Sequence, residues 1–249
     1  MRFDYRQQDL VIQYDFNPAI IERLAATTEI DPHLNVNRLL SNPSVTVLQS
    51  PTSSSLAEVS AGQAILRTQY FGEYIAPENR DAREQYTLAK AKRLLALLSS
   101  AEARFTVCGV VTVLRCSIRE PSAQHIIKKK VQDLLPGIAA LSCGGDAFDF
   151  QFRATRRKDG WRFCGIQLSW YQERGMFLPV TVGAPLMISD WQMPLADEGL
   201  EVRYDQNNKA GLFDGRLVWS SSDFLALIQS CLRDMLADLA PFMPLVESP

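Results

Sequence analysis

The side chains best placed to do chemistry are basic and close together. Arg153, Arg156, Arg157, Lys158 and Arg162 crowd into one short stretch, with Trp161 among them and Trp170 just beyond. Guanidinium and ammonium groups hold phosphate oxygens, and an indole ring offers a face on which a base can stack. Lys158-Asp159-Gly160 at the centre is a hairpin turn, because Asp-Gly tolerates the positive φ that a tight turn needs. Arg153, Arg156, Arg157, Lys158, Trp161 and Arg162 are therefore a candidate nucleic-acid contact, with Lys128-Lys129-Lys130 as a further basic run upstream. The competing reading is a solvated hairpin end beside a solvated helix face. The charge balance favours it: 26 Lys+Arg stand against 28 Asp+Glu, a net charge of −2. As exposed turn residues, Arg156, Arg157 and Lys158 are expected to affect folding by no more than about 0.5 kcal/mol each.

Other chemistry is sparse. His33 is expected just past a helix and His125 in the first turn of another; each is a general-base candidate and, more commonly, an ordinary surface or capping residue. The five cysteines, Cys108, Cys116, Cys143, Cys164 and Cys231, show no C-x-x-C spacing and read as buried, reduced thiols. Asp205 and Asp214 flank an Asn207-Asn208 turn, where carboxylates can hold a cation, but turn formation is the commoner job of these residues. Phosphate-loop, dinucleotide-binding, zinc-protease and nucleophile-elbow motifs are missing. The sequence thus assigns no catalytic residue, no metal ligand and no cofactor.

These residues must be positioned by a mixed set of elements. Apolar residues at three-to-four spacing predict helices over 18–29, 78–100, 122–135 and 221–240. In the second of these Arg80, Arg83, Lys90 and Lys92 are expected mostly outside. Leu10, Ile12, Tyr14 and Phe16 alternate as a strand, and Val45 with Val47 and Ala64 to Phe71 mark two more. The long apolar stretch Arg104 to Ile118 is expected at the centre of a sheet. Phe148 to Thr155 and Trp161 to Glu173 form the basic hairpin, and Leu200 to Asp205 and Arg216 to Trp219 follow. Ser50 to Ser55 reads as a mobile loop, and Pro179 to Gly199 as an ordered surface excursion. The fold class is α+β, a mostly antiparallel sheet backed by helices, with a layout that suits two fused ferredoxin-like halves. Residues 1–119 give the β-α-β-β-α-β half, and 120–249 a second α+β half sharing the same sheet.

Val110-Val111-Thr112-Val113-Leu114-Arg115, Leu200 to Asp205 and the helix from Ser222 to Leu239 give the chain a layout that resembles a sporadically distributed, uncharacterised family of bacterial proteins of about 260 residues. The resemblance implies an accessory, mobile or defence-linked bacterial protein in the cytoplasm, and transfers no site residues. A duplicated ferredoxin-like layout is also similar to CRISPR repeat-processing ribonucleases, and His33 superficially fits their general base. Their glycine-rich C-terminal loop is missing, and Gly211 to Gly215 does not replace it.

The hydrophobic fraction of 47% suits a folded globular chain, and no apolar run is long enough to span a membrane. The expected function is a non-enzymatic binding or assembly module of a bacterial complex, with a protein partner or a second copy docking by strand addition. The alternative is an RNA-binding protein or metal-independent ribonuclease that uses the basic hairpin.

Overall fold

The computed structural model describes residues 3–26, 34–37, 44–50, 52–118, 120, 124, 125, 129, 151–175, 194–213, 215 and 219–240. Among them, nine strands form one antiparallel sheet. They are β1 (Asp4–Tyr14), β2 (Leu34–Asn37), β3 (Ser44–Ser50), β4 (Ser53–Val59), β5 (Gln63–Tyr70), β6 (Phe105–Ser117), β7 (Gln151–Arg157), β8 (Phe163–Arg174) and β9 (Leu195–Asn207). Their spatial order is β2-β3-β4-β5-β1-β6-β9-β8-β7. The described α-helices are α1 (Ala19–Ala26), α2 (Arg80–Ser100), a short α3 (Ala210–Phe213) and α4 (Ser221–Leu239). The α+β class with a mostly antiparallel sheet is as the sequence predicts.

Local chemistry explains the element ends. The Asn17 side chain accepts from the Ala19 amide at 3.1 Å, and Pro18 supplies the preset φ of a helix start. The α4 terminus has a reciprocal cap: the Asp223 amide donates to Ser220 Oγ at 3.1 Å and the Ser220 amide to Asp223 Oδ2 at 3.0 Å. The apolar stripe of α4, Phe224, Leu227, Ile228, Cys231 and Leu232, joins Leu94, Leu95 and Leu98 of α2 over the sheet residues Leu10, Ile12, Leu66 and Val110. A second cluster beneath the C-terminal end of α4 gathers Ile166, Leu168, Trp170, Leu200, Val202 and Tyr204 with Met235 and Leu239. As expected, β6 is central and buried along most of its length. Both clusters lie on one face of the sheet. Burying an aliphatic side chain there contributes about 1.5–3 kcal/mol, which is what holds two helices on so wide a surface.

Five sequence expectations need correction. Ser53 to Ser55 is not a loop but the start of β4, with Ser53 and Ser55 0% and 1% exposed. Ser55 Oγ and Thr68 Oγ1 share a hydrogen bond of 2.8 Å, so the polar letters conceal a buried strand. Leu195 to Gly199 belong to β9 rather than to a surface excursion, β2 is an additional strand, and Phe16 lies beyond β1 with 79% exposure. Arg83 and Lys90 are not on the outside of α2. They are 3% and 2% exposed, on the same face as buried Thr87. The remaining expectations, for 27–29, for most of 122–135, and for Phe148, Phe150 and residues 179–193, lie outside the described residues, as does Arg216 to Val218. Trp219 forms a single antiparallel bridge with Phe105.

The polar stripe of α2 fits a matching stripe on the sheet. Arg6 is an extra residue in the β1–β6 pairing, a bulge that turns Tyr5 and Gln8 toward the same, helix-covered face. Gln8 Oε1 accepts from Tyr70 Oη at 2.7 Å and from Thr87 Oγ1 at 2.6 Å, and its amide donates to Thr112 at 3.2 Å. Lys90 donates to Ser55 and lies 3.6 Å above the Tyr86 ring. Burial lowers the Lys90 ammonium from its ordinary value of 10.5, against the favourable contact with Tyr86. The unfolded chain therefore binds more protons than the folded one over that range, and stability should rise with pH there. Lys90→Met should add about 1 kcal/mol at neutral pH by removing this desolvation cost, with a gain that fades toward pH 10. Urea melts of both proteins across pH would show it, and a loss of stability on substitution would mean that the ammonium is a net stabiliser.

Candidate functional site

The basic hairpin folds back onto α4. Lys158 Nζ lies 2.6 Å from Asp238 Oδ2 and 3.1 Å from Asp234 Oδ2. Arg156 reaches Asp238 Oδ1 at 3.0 Å. Arg162 pairs with Asp159 at 2.6 Å and with Asp234 at 3.0 Å, and donates to Ser230 at 2.6 Å. Tyr204 of β9 donates to Asp238 Oδ2 at 2.6 Å from below. Three cations thus meet three carboxylates in a network that joins the β7–β8 hairpin, α4 and the sheet. Asp159 also shapes the turn, accepting from the Trp161 and Arg162 amides at 3.2 and 2.9 Å.

Partial burial alone would raise the Asp238 carboxyl, but hydrogen bonds from Lys158 and Tyr204 and the Lys158 and Arg156 charges hold it below its ordinary 3.8. Asp234 and Asp159 follow the same logic: burial opposes ionisation, and Lys158 with Arg162, or Arg162 with two backbone amides, outweighs it. Lys158 and Arg162 are raised in turn, their desolvation being exceeded by these aspartates. The Cys164 thiol, 3.8 Å from Asp238, is pushed up by burial. So are the thiols of Cys108 and Cys231, and the four described cysteines are buried, in inert rather than reactive settings.

The six sequence-predicted site residues therefore separate. Lys158 and Arg162, 18% and 13% exposed at the side chain, belong to the ion network, with Arg156 at its rim. Trp161 packs 5.5 Å from Trp219, and Arg157 closes the turn by donating to the Asp159 carbonyl at 3.1 Å and to that of Gly160. Arg153 is exposed on β7. Arg156 and Arg157 are exposed as expected, but Lys158 is not an exposed turn residue: it pairs with two carboxylates. His125 is helical and exposed; His33 and Cys143 lie outside the described residues. Among the described residues no group of three metal-ligating side chains converges.

The sheet face opposite the helices carries a different pattern. One cross-strand row runs Arg153, Gln167, Arg203, Val113, Gln7, Gln69 and Ser54. Beside it Arg115 is fixed by Glu201 at 2.8 Å and Glu173 at 3.0 Å, with its guanidinium 4.6 Å over the Tyr171 ring. A groove of about 450 Å³ crosses this face, lined by Arg6, Gln7, Gln69, Phe71, Arg115 and Glu173. Its size is that of a ligand site, and its lining is dominated by amides and ions. Phe71 at its edge is 44% exposed. The short 3-10 turn Gly72–Ile75 contributes Gly72 and Ile75 to the groove. No protein-family model, curated protein or solved structure matches the chain.

Sequence reasoning missed Asp234, Asp238 and the groove. The two aspartates sit four apart beside the apolar stripe of α4, a position where a charge is half-buried and needs a partner; that spacing is the signal that could have found them. The groove comes from strand order and has no such signal. Asp238→Asn should destabilise the fold by about 2 kcal/mol, since Lys158 would lose its closest partner while water screens part of the effect. The carboxyl contributes fully above its ordinary 3.8, and the contribution disappears as the pH falls through its lower folded value. The gap between wild type and Asp238→Asn in urea midpoint should therefore narrow from neutral to acid pH, and a gap that does not vary with pH would contradict the ion-pair account.

Proposed function

We propose that this protein is a non-enzymatic binding module, a cytoplasmic subunit of a bacterial accessory complex, that engages a protein partner across the open face of its sheet. The observation that carries this reading is the groove beside Phe71, lined by that exposed ring, the fixed guanidinium of Arg115 and the amide of Gln69. Aromatic and arginine side chains are the residues enriched at the energetic centres of protein interfaces. The perturbed titratable groups support the same reading, because Asp159, Asp234, Asp238, Lys158 and Arg162 are mutually committed rather than poised toward a substrate. Strand addition at the β7 edge is less favoured, since Arg153, Arg156 and Arg157 place charge along that strand. Residues 1–119 are read as a ferredoxin-like half, with β1 between β6 and β5, β4 beyond β5, and the β2–β3 pair inserted before β4.

Phe71→Asp tests the surface without touching the core. Wild-type protein carrying an affinity tag in its native cell should retain a stoichiometric partner, or a second copy by light scattering, that the variant loses. Retention by both proteins, or a monomer without partner, would overturn the reading.

The nucleic-acid alternative keeps one specific support. Arg153 and Arg203 lie on the same open row with Gln167 between them, and neither has a carboxylate partner among the described residues. An exposed sheet face with such donors is a surface on which single-stranded RNA can lie. Replacing both arginines by Ala should then flatten the logarithmic salt dependence of RNA binding by roughly 0.7 for each phosphate that is no longer neutralised. Folding stability should stay within about 0.5 kcal/mol of wild type, as for other exposed side chains. Wild-type protein without salt-sensitive RNA binding would end this alternative.

A further inference from the structure

We infer that the small cavity between the N-terminal turn of α2, the side of α4 and the start of β1 is a binding site for a monatomic anion of halide size. The cavity is lined by Tyr5, Gln8, Tyr70, Arg80, Arg83 and Glu84, and Leu232 and Met235 of α4 close it. Its volume of about 20 Å³ exceeds what one water needs, roughly 10–15 Å³, and suits a single small ion.

Three observations set the chemistry of the occupant. The first is charge. Arg83 is 3% exposed and donates to the main-chain carbonyls of Tyr74 at 2.8 Å, of Pro77 at 3.3 Å, and of Ala76. No carboxylate bridges it among the described residues. Arg80 likewise directs its Nη2 at carbonyls, those of Leu232 at 3.4 Å and Arg233 at 2.9 Å. Glu84 is the single carboxylate in the lining against two arginines, and the Glu78 charge acts on Arg83 from outside it.

The second observation is the set of unused hydrogen-bonding atoms. Arg80 Nε is buried without a hydrogen-bond partner, and the Tyr5 hydroxyl, on a residue 5% exposed, has beside it only the Arg83 guanidinium, which cannot accept its proton. Arg80 Nε can only donate, and a phenol beside two guanidinium groups is best used as a donor. An acceptor that carries no hydrogens satisfies both. Gln8 and Tyr70 do not compete, because Gln8 Oε1 is taken by Tyr70 and Thr87 and its amide by Thr112.

The third is rigidity. The Arg83 guanidinium lies 3.6 Å from the centre of the Tyr5 ring, a stacking that fixes the phenol relative to the cation. The bulge at Arg6 is what brings Tyr5 to this face. An anion seated here would join α2, α4 and β1 through one charge, and would stabilise the folded state in proportion to its occupancy.

The test is thermal unfolding of the full chain in sodium chloride, sodium bromide and sodium gluconate at matched ionic strength, gluconate being too large to enter. Chloride and bromide should raise Tm saturably, by about 3–6 °C at tenfold above half-saturation, and gluconate should not. Arg80→Gln should abolish the halide-specific rise, and Tyr5→Phe should move it to higher concentration. Crystals soaked in bromide should show an anomalous peak beside Arg80 Nε and Tyr5 Oη, which keeps the test intact if either variant fails to fold. Equal melting in chloride and gluconate, an undiminished halide effect in both variants, or an ordered water in place of bromide would each overturn the assignment.

Discussion

The Asp238 carboxylate is the point on which the second half of the fold turns. It receives Lys158 and Arg156 from the hairpin and Tyr204 from the sheet, and it sits on the last helix. Without it the β7–β8 hairpin would keep the β8–β9 ladder and the links of Lys158 and Arg162 to Asp234 and Ser230, but the C-terminal end of α4 would lose its tie to Arg156 and Tyr204. Hydrophobic burial draws these pieces together but does not choose their register. A bidirectional ion network does, because each charge left unpaired near the core costs several kcal/mol while the paired geometry costs little. The same arrangement makes the hairpin a poor electrostatic lure, since its cations are already answered by Asp159, Asp234 and Asp238.

A second constraint acts under α2. Two helices must cover the middle of a wide sheet, and the first half of α2 meets β1, β4 and β5 through polar side chains, while its second half, with Leu94, Leu95 and Leu98, packs apolarly. Arg83, Thr87 and Lys90 recur at helical spacing against Gln8, Tyr70 and Ser55. Burying two cations under a helix is unfavourable, and the penalty is offset by carbonyls, ring faces and hydroxyls in place of carboxylates. This interior holds net positive charge while the chain as a whole is slightly acidic.

How much of this was legible depended on whether a residue's setting could be read from its neighbours in sequence. The helices over 80–100 and 221–239, the central β6 and the Asp159-Gly160 hairpin were legible because periodicity and turn chemistry are local. Ser53 to Ser55 misled, since three serines shortly after a proline look like a solvated loop until Thr68 and Lys90 are placed against them. Lys90 and Arg83 misled for the same reason in reverse: long charged side chains on a helix are normally outside, and only the facing hydroxyls and rings reverse that. The basic hairpin was placed correctly as structure, but its charges could not be read as neutralised without knowing that α4 lies across it. The groove was illegible, because Arg6, Gln69, Arg115 and Glu173 come together only through the order β5-β1-β6-β9-β8.

The two faces of the sheet then divide the work. On the helical side charge is confined and consumed, so that face sets stability and register. On the other side several cations and carboxylates stand in pairs such as Arg67 with Asp9 at 3.4 Å and Arg115 with Glu201 at 2.8 Å, which weakens the long-range field around the groove. A partner meeting this face would gain little from steering and much from short-range fit, through amides at Gln7, Gln69 and Gln167 and the ring of Phe71. Because the amides stand in register on strands about 4.8 Å apart, they present donors and acceptors at the spacing of sheet side chains. Such a surface rewards an ordered, extended ligand over a diffuse charged one, and that is the physical reason for placing recognition in the groove and not at the hairpin tip.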